Sequence, residues 1–210
     1  MEDILDVYCR PYDPRYPVVC LDEASKQLLG DLREPLPMEP GRPACVDSDY
    51  ERRGTRSIFM ACEPLRGWRV AEVTARRTKL DWAHFVRELV DVQFADAERV
   101  VLVMDNLNTH HPASLYEAFE PAEAKRLWDR LELHYTPKHG SWLNIAECEL
   151  SVLSRQCTQG RIPDEELLVE KVLAWATQRN AESKRVNWRF TTADENHFLC
   201  SLGAEDWLQN

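Results

Sequence analysis

Two aspartates and a glutamate stand where this chain changes from apolar to polar. Asp22 closes the run Pro17-Val-Val-Cys-Leu, Asp105 closes Arg99-Val-Val-Leu-Val-Met, and Glu147 lies in Pro137-Lys-His-Gly-Ser-Trp-Leu-Asn-Ile-Ala-Glu147. Carboxylates brought together repel one another and raise each other's pKa, so such a cluster makes sense when a cation shares it. Hard oxygen donors that leave room for water suit Mg2+, with Mn2+ as a substitute. Two such ions about 4 Å apart activate a water or a 3'-hydroxyl on one side and steady the leaving oxygen on the other. That chemistry is hydrolysis or transfer of a phosphodiester. Taken singly, Asp22 reads equally well as a helix cap or loop residue, and Asp105 as part of a capped turn.

The residues around the acids invite supporting roles. Asn106, Asn108 and His110 follow Asp105 directly and could orient it or a bound water; they could also satisfy turn backbone groups. Lys138 and His139 precede the helix of Glu147 and could meet a phosphate, while Ser141 could cap that helix. Trp142 could stack on a base or wedge a duplex, though an aromatic beside a helix start also packs into cores. Glu149 lies as far from the centre of the apolar stripe as Glu147 does, on the other side, and periodicity does not choose between them.

The elements that must position these groups follow from the hydrophobic pattern. A buried strand over 17–22 ending at Asp22 is followed by a turn-rich, charged excursion over 30–57, with a short strand near Ala44–Val46. Segments 57–64 and 68–74 flank Leu65-Arg66-Gly67 as a hairpin. A helix capped by Asp81 runs to about Phe94 with Trp82, Phe85, Val86, Leu89 and Val90 on one stripe; then come the strand ending at Asp105, helices over 112–119 and 121–131, and a strand over 132–136. Leu143, Ala146, Leu150, Leu153 and Cys157 mark the helix bearing Glu147, and a last helix spans about 163–180 with Leu167, Leu168, Val172 and Trp175 inward. Residues 1–16 read as an irregular lead, and the aromatic stretch after Ala181 as part of the folded body. The order describes an α/β fold with a mixed central sheet flanked by helices, with its acids where open sheets place their chemistry.

Bulk properties narrow the class. A chain of 210 residues builds one core without staples. Seven cysteines without a CxxC pair read as reduced thiols, with Cys20, Cys62, Cys148 and Cys157 inside apolar patterns. The acidic start and the lack of a long apolar run point to the cytoplasm and away from a membrane. The formal charge of −10 argues against a broad grip on nucleic acid, so any DNA contact needs local basic surface, cations or another domain. Arg52, Arg53, Arg56, Arg66, Arg69, Arg76, Arg77 and Lys79 are the local excess that fits such a track. Neither GxGxxG, P-loop, GxSxG nor HExxH is present, which removes dinucleotide, nucleotide, serine-hydrolase and zinc-protease readings.

Val-Met-Asp105-Asn-Leu-Asn-Thr-His110 and His134-Tyr-Thr-Pro-Lys-His-Gly-Ser-Trp142-Leu-Asn144-Ile-Ala-Glu147, with Val-Cys-Leu-Asp22-Glu23 and Val186-Asn-Trp-Arg-Phe-Thr-Thr192, closely resemble the catalytic region of insertion-sequence transposases of the mariner-like DDE superfamily. The similarity runs from about Val18 to Phe198. It implies a ribonuclease H-like catalytic domain over 17–200 with a short tail over 201–210. The family's catalytic, metal-holding triad falls on Asp22, Asp105 and Glu147, with Asn144 beside it. The resemblance further implies two Mg2+ ions, cleavage and joining of transposon ends, transposon and target DNA as partners, and a homodimer. Members usually carry helix-turn-helix domains ahead of the core, for which residues 1–16 have no recognition helix; a separate chain bearing them is therefore an expected partner. The competing expectation is a catalytically silent fragment that only self-associates or pairs with a full-length enzyme.

Overall fold

Alternation of apolar residues against two faces organises the central strand, β1 (Val18–Asp31). Val19 and Leu21 pack with Phe59, Trp82, Phe85 and Leu102 on one side. Cys20 packs with Ile4, Met60, Leu150 and Leu168 on the other. This computed structural model describes residues 1–33, 38–41, 47–138 and 140–186. The anticipated strand near Ala44–Val46, His139 and the aromatic tail after Val186 lie outside them.

β1 pairs antiparallel with β2 (Tyr50–Glu63), which turns through Leu65-Arg66-Gly67 into antiparallel β3 (Trp68–Thr74). On its other side β1 runs parallel to β4 (Val100–Met104), and β4 parallel to β5 (Leu131–Tyr135). The strand order is β3-β2-β1-β4-β5, a mixed sheet. One face carries α1 (Glu2–Tyr8), α5 (Ile145–Gln156) and α6 (Glu165–Ala181); the other carries α2 (Lys79–Glu88), α3 (Pro112–Ala118) and α4 (Pro121–Asp129). Among the described residues no helix is long and apolar enough to cross a membrane.

Several expectations are corrected. Residues 2–8 form a helix, not an irregular lead, because Ile4, Leu5 and Val7 bury against the sheet and tertiary packing supports a helix too short to stand alone. β1 does not end at Asp22: it pairs with β2 as far as Asp31–Tyr50, and its outer half is held by Lys26 Nζ, which donates to the carbonyls of Thr158 and Gly160 at 2.6 and 3.0 Å. The charged excursion is correspondingly shorter, since 50–57 belong to β2. Thr78 caps α2, with Asp81 completing a capping box. Asn144, not Ser141, caps α5; Ser141 opens a single 3-10 turn, Ser141–Leu143. Cys148 is exposed, unlike the buried Cys20 and Cys62.

Candidate active site

β4 pairs with β1 only over Val18–Cys20, through Val101–Val103. Carrying that register two residues further sets Asp22 beside Asp105, at the point where β4 ends and β1 continues alone with β2. A cleft opens there, at a change of strand direction of the sort where open sheets place ligands. It is lined by Asp105, Asn106, Leu107, Thr136, Pro137, Lys138 and Ser141. Period-two alternation turns Asp22 to the face covered by α5, and Glu147 stands exposed in the first turn of that helix.

The charges of these groups meet at Asp22. Burial pushes its carboxyl up to about 7, the amide of Glu23 at 2.8 Å pulls the other way, and the carboxylates of Asp105, Glu23 and Glu147 add to the rise. Such a group is stabilised by a nearby cation. The donors are hard oxygens, and the Asp105 side chain is 30% exposed, so water can complete a coordination shell. The donor set therefore fits Mg2+ or Mn2+. Among the described residues no three His, Cys, Asp or Glu side chains already stand at ion-holding distance.

His110 is the residue that meets Asp105. Its ring is buried, with Nδ1 2.6 Å from Asp105 Oδ1 and Nε2 3.1 Å from Glu23 Oε2. Nδ1 also lies 3.2 Å from the Asp105 carbonyl. Burial opposes a charge on this ring, but the two carboxylates outweigh it and hold the imidazolium up to about 10. Asn106 and Asn108 are exposed on the intervening loop; Asn106 lines the cleft, and neither is a hydrogen-bond partner of Asp105 among the described residues.

Asn144 joins the two halves of the site. It is buried, its Oδ1 accepts from the Ala146 amide at 3.1 Å, and its Nδ2 donates to the Leu21 carbonyl at 2.8 Å. Glu149 points elsewhere than Glu147 does. It is buried between Arg69 and Arg179, at 3.0 and 2.9 Å, and so fastens α5 to β3 and α6.

The expected basic track is only partly assembled. Arg69 is buried, Arg53 pairs with Glu51, Arg56 with Glu165, Arg66 with Glu63 and Lys79 with Glu117. Arg52, Arg76 and Arg77 are exposed, but Arg52 pairs opposite Leu29, roughly 23 Å along β1 from Asp22 at about 3.3 Å per residue. Nearer the acids, Lys138 lines the cleft. Trp142, 43% exposed, shares a neighbouring groove with Glu147, Cys148, Ser151, Val152 and Arg155. Sequence reasoning missed Glu23, Arg155 and the Arg69–Glu149–Arg179 network; alternation places Glu23 on the face opposite Asp22, and its approach to His110 comes only with the fold.

Among solved structures, a chain of the Mos1 mariner paired end complex with Mn aligns with a TM-score of 0.58 at 14% identity, over 98% of this chain and 60% of that one. A chain of the Mos1 strand transfer complex aligns at 0.49 and 13% identity, over 89% and 60%. The chain thus spans less than two thirds of the length of these neighbours. At such identities the first likeness is one of fold, the ribonuclease H-like mixed sheet flanked by helices. No curated protein matches the chain. A family model described as DDE superfamily endonuclease matches residues 17–169, a span that contains all five strands and all three acids, and the chain belongs to that family.

Proposed function

We propose that this chain is the catalytic part of a transposase, a metal-dependent DNA endonuclease and strand transferase acting in the cytoplasm at the ends of a mobile element. The observation that carries the reading is the meeting of charge at Asp22, whose carboxyl is lifted by burial and by Asp105, Glu23 and Glu147. Membership of the DDE superfamily endonucleases supports it. So does the fold shared with a transposase whose structure is a paired end complex with Mn.

In this reading Asp22, Asp105 and Glu147 hold the divalent ions, and Asn144 keeps the helix of Glu147 against the strand of Asp22. When bound, two Mg2+ ions, or Mn2+ in their place, supply an activated water or 3'-hydroxyl and charge stabilisation at the leaving oxygen. Lys138 meets a phosphate at the cleft wall, together with the neighbouring His139. Trp142 stacks against a base beside Glu147. Arg52, Arg53, Arg76, Arg77 and Lys79 meet DNA further from the cut. Because the charge of −10 gives no broad grip on DNA, end recognition falls to a helix-turn-helix element, on this polypeptide or a separate chain, and two copies hold two ends as a dimer.

The test is cleavage of duplex DNA at micromolar concentration, where weak affinity no longer limits, with saturating Mn2+. Strand breaks that vanish in Glu147→Gln support the proposal. Intact DNA at saturation contradicts an active nuclease and favours a silent chain that only self-associates.

A further inference from the structure

At the start of β1, away from the acids, a second cavity of about 370 Å3 opens between the lead into β1, the turn after β2 and the loop that follows α2. Pro17, Glu63 and Phe94 stand on its three walls, and Pro17 is roughly 17 Å of extended strand from Asp22. Glu63 is the last residue of β2, and its side chain is 2% exposed. Its Oε2 is buried without a hydrogen bond. Among the described residues the cation near it is Arg66, half exposed, whose Nη1 at 3.6 Å is too far to donate. Burial holds this carboxyl above the ordinary glutamate value, with Arg66 pulling the other way. Asp96, exposed on the loop, adds a second carboxylate, so the described lining carries two against one guanidinium. The loop wall is firmly held. α2 runs into a single π turn, Leu89–Gln93, closed by the Phe94 amide donating to the Leu89 carbonyl at 2.8 Å. Arg130 Nη2 donates to the carbonyls of Phe94 and Ala95 at 3.0 and 3.2 Å, and Trp68 meets the Phe94 ring edge-on. Such π turns frequently mark functional sites. Tyr12 and Val92, which also line the cavity, are exposed.

We infer that this cavity docks a protein partner through an arginine side chain, whose guanidinium donates to the Glu63 carboxylate while the residues beside it pack on Tyr12 and Val92. A buried carboxylate with an unpaired oxygen calls for a cationic donor, and a guanidinium meets a carboxylate with two parallel N–H groups and sheds water more readily than an ammonium. The excess of carboxylates in the lining turns an anion away. Arg66 covers the carboxylate in the free chain and, being half exposed, gives way to the incoming group. A wall already fixed by Arg130 and Trp68 spends little ordering entropy on binding. A small free amine would leave Tyr12 and Val92 uncovered, whereas a peptide segment covers both. The inference is separate from the acids at Asp22, Asp105 and Glu147 and does not depend on their holding an ion.

The experiment is nuclear magnetic resonance titration of the intact 15N-labelled chain with the peptide acetyl-Ala-Leu-Arg-Leu-Ala-amide, with the same peptide carrying citrulline in place of arginine, and with agmatine. Docking predicts saturable shifts centred on the side-chain amide of Gln93 and the guanidinium of Arg66, with the arginine peptide bound about tenfold or more tighter than the citrulline peptide, as for a hydrogen bond to a charged group. Glu63→Gln should lose that preference. Arg66→Ala should bind the arginine peptide more tightly than wild type, because the competing cation is gone. Val92→Arg, a change at an exposed position, should weaken binding by charge repulsion and keeps the test open if Glu63→Gln does not fold. No saturable shift, equal binding of the arginine and citrulline peptides, or an arginine preference that survives in Glu63→Gln overturns the inference. Tighter binding of agmatine than of the arginine peptide assigns the cavity to a small amine and overturns the protein partner.

Discussion

The side chain of Asn144 donates to the carbonyl of Leu21 at 2.8 Å while accepting from the amide of Ala146, so one buried amide ties the start of the helix bearing Glu147 to the strand bearing Asp22. Leu21 is the residue before Asp22, and its carbonyl faces away from the β2 ladder just where β4 stops pairing. The asparagine takes up a strand-edge acceptor and a helix-start donor that would otherwise be buried without partners.

Asn144→Ala should therefore cost about 2 kcal/mol of stability, as a lost cap together with an unpaired buried carbonyl. Urea unfolding measures it. Asn144→Asp keeps the cap but puts a carboxylate against a carbonyl, and should recover little. A change below about 0.5 kcal/mol in Asn144→Ala, the range of an inconsequential surface substitution, would remove Asn144 from this role.

Glu147 and Glu149 should separate cleanly. Glu149→Ala leaves Arg69 and Arg179 facing one another without their shared carboxylate, a loss of about 3–5 kcal/mol for a buried pair. Glu147→Ala removes an exposed acid and should change stability by no more than about 0.5 kcal/mol while weakening Mn2+ binding at least tenfold. Paired denaturation and metal titrations check both, and the reverse pattern would exchange the two roles.

The raised carboxyl of Asp22 fixes a sign for the pH dependence. Its folded pKa, about 7, exceeds its ordinary 3.8, so the folded chain binds the extra proton and metal-free stability falls as pH rises between those values. The His110 imidazolium, raised from 6.5 to about 10, contributes stability that is intact below 6.5 and lost as pH rises through about 10. Melting in EDTA should decline from pH 5 to pH 8. In saturating Mn2+ the gain in melting temperature should grow over the same interval, because binding expels the proton of Asp22. A flat EDTA profile with a flat Mn2+ increment would deny the crowding of charge at Asp22.

Much of this arrangement was legible in the residues. Five apolar positions ending at Asp105 describe β4, and the spacing of Ala146, Leu150 and Leu153 describes α5, because in both cases the pattern follows what the core demands. Asp22 was legible as an acid on a buried strand but not as a mid-strand residue, since only pairing with β2 carries β1 on to Asp31. The choice between Glu147 and Glu149 was closed to periodicity. Glu149 is distinguished by Arg69 and Arg179, cations on β3 and α6 that approach it only in the folded chain. Glu23 was hidden for a related reason: strand alternation sends it behind the sheet, and its partner His110 arrives on a loop with no period of its own. A count of cations along the chain likewise does not reveal which of them pair with carboxylates such as Glu117 and Glu165.

The measurement closest to the central claim is calorimetric titration of Mn2+ into the wild-type chain and into Asp105→Ala at pH 7.5. The account predicts saturable binding in the wild type that is lost in the variant. Wild-type binding that survives unchanged in Asp105→Ala, or its absence from both proteins, would contradict an acidic metal site built on Asp22, Asp105 and Glu147.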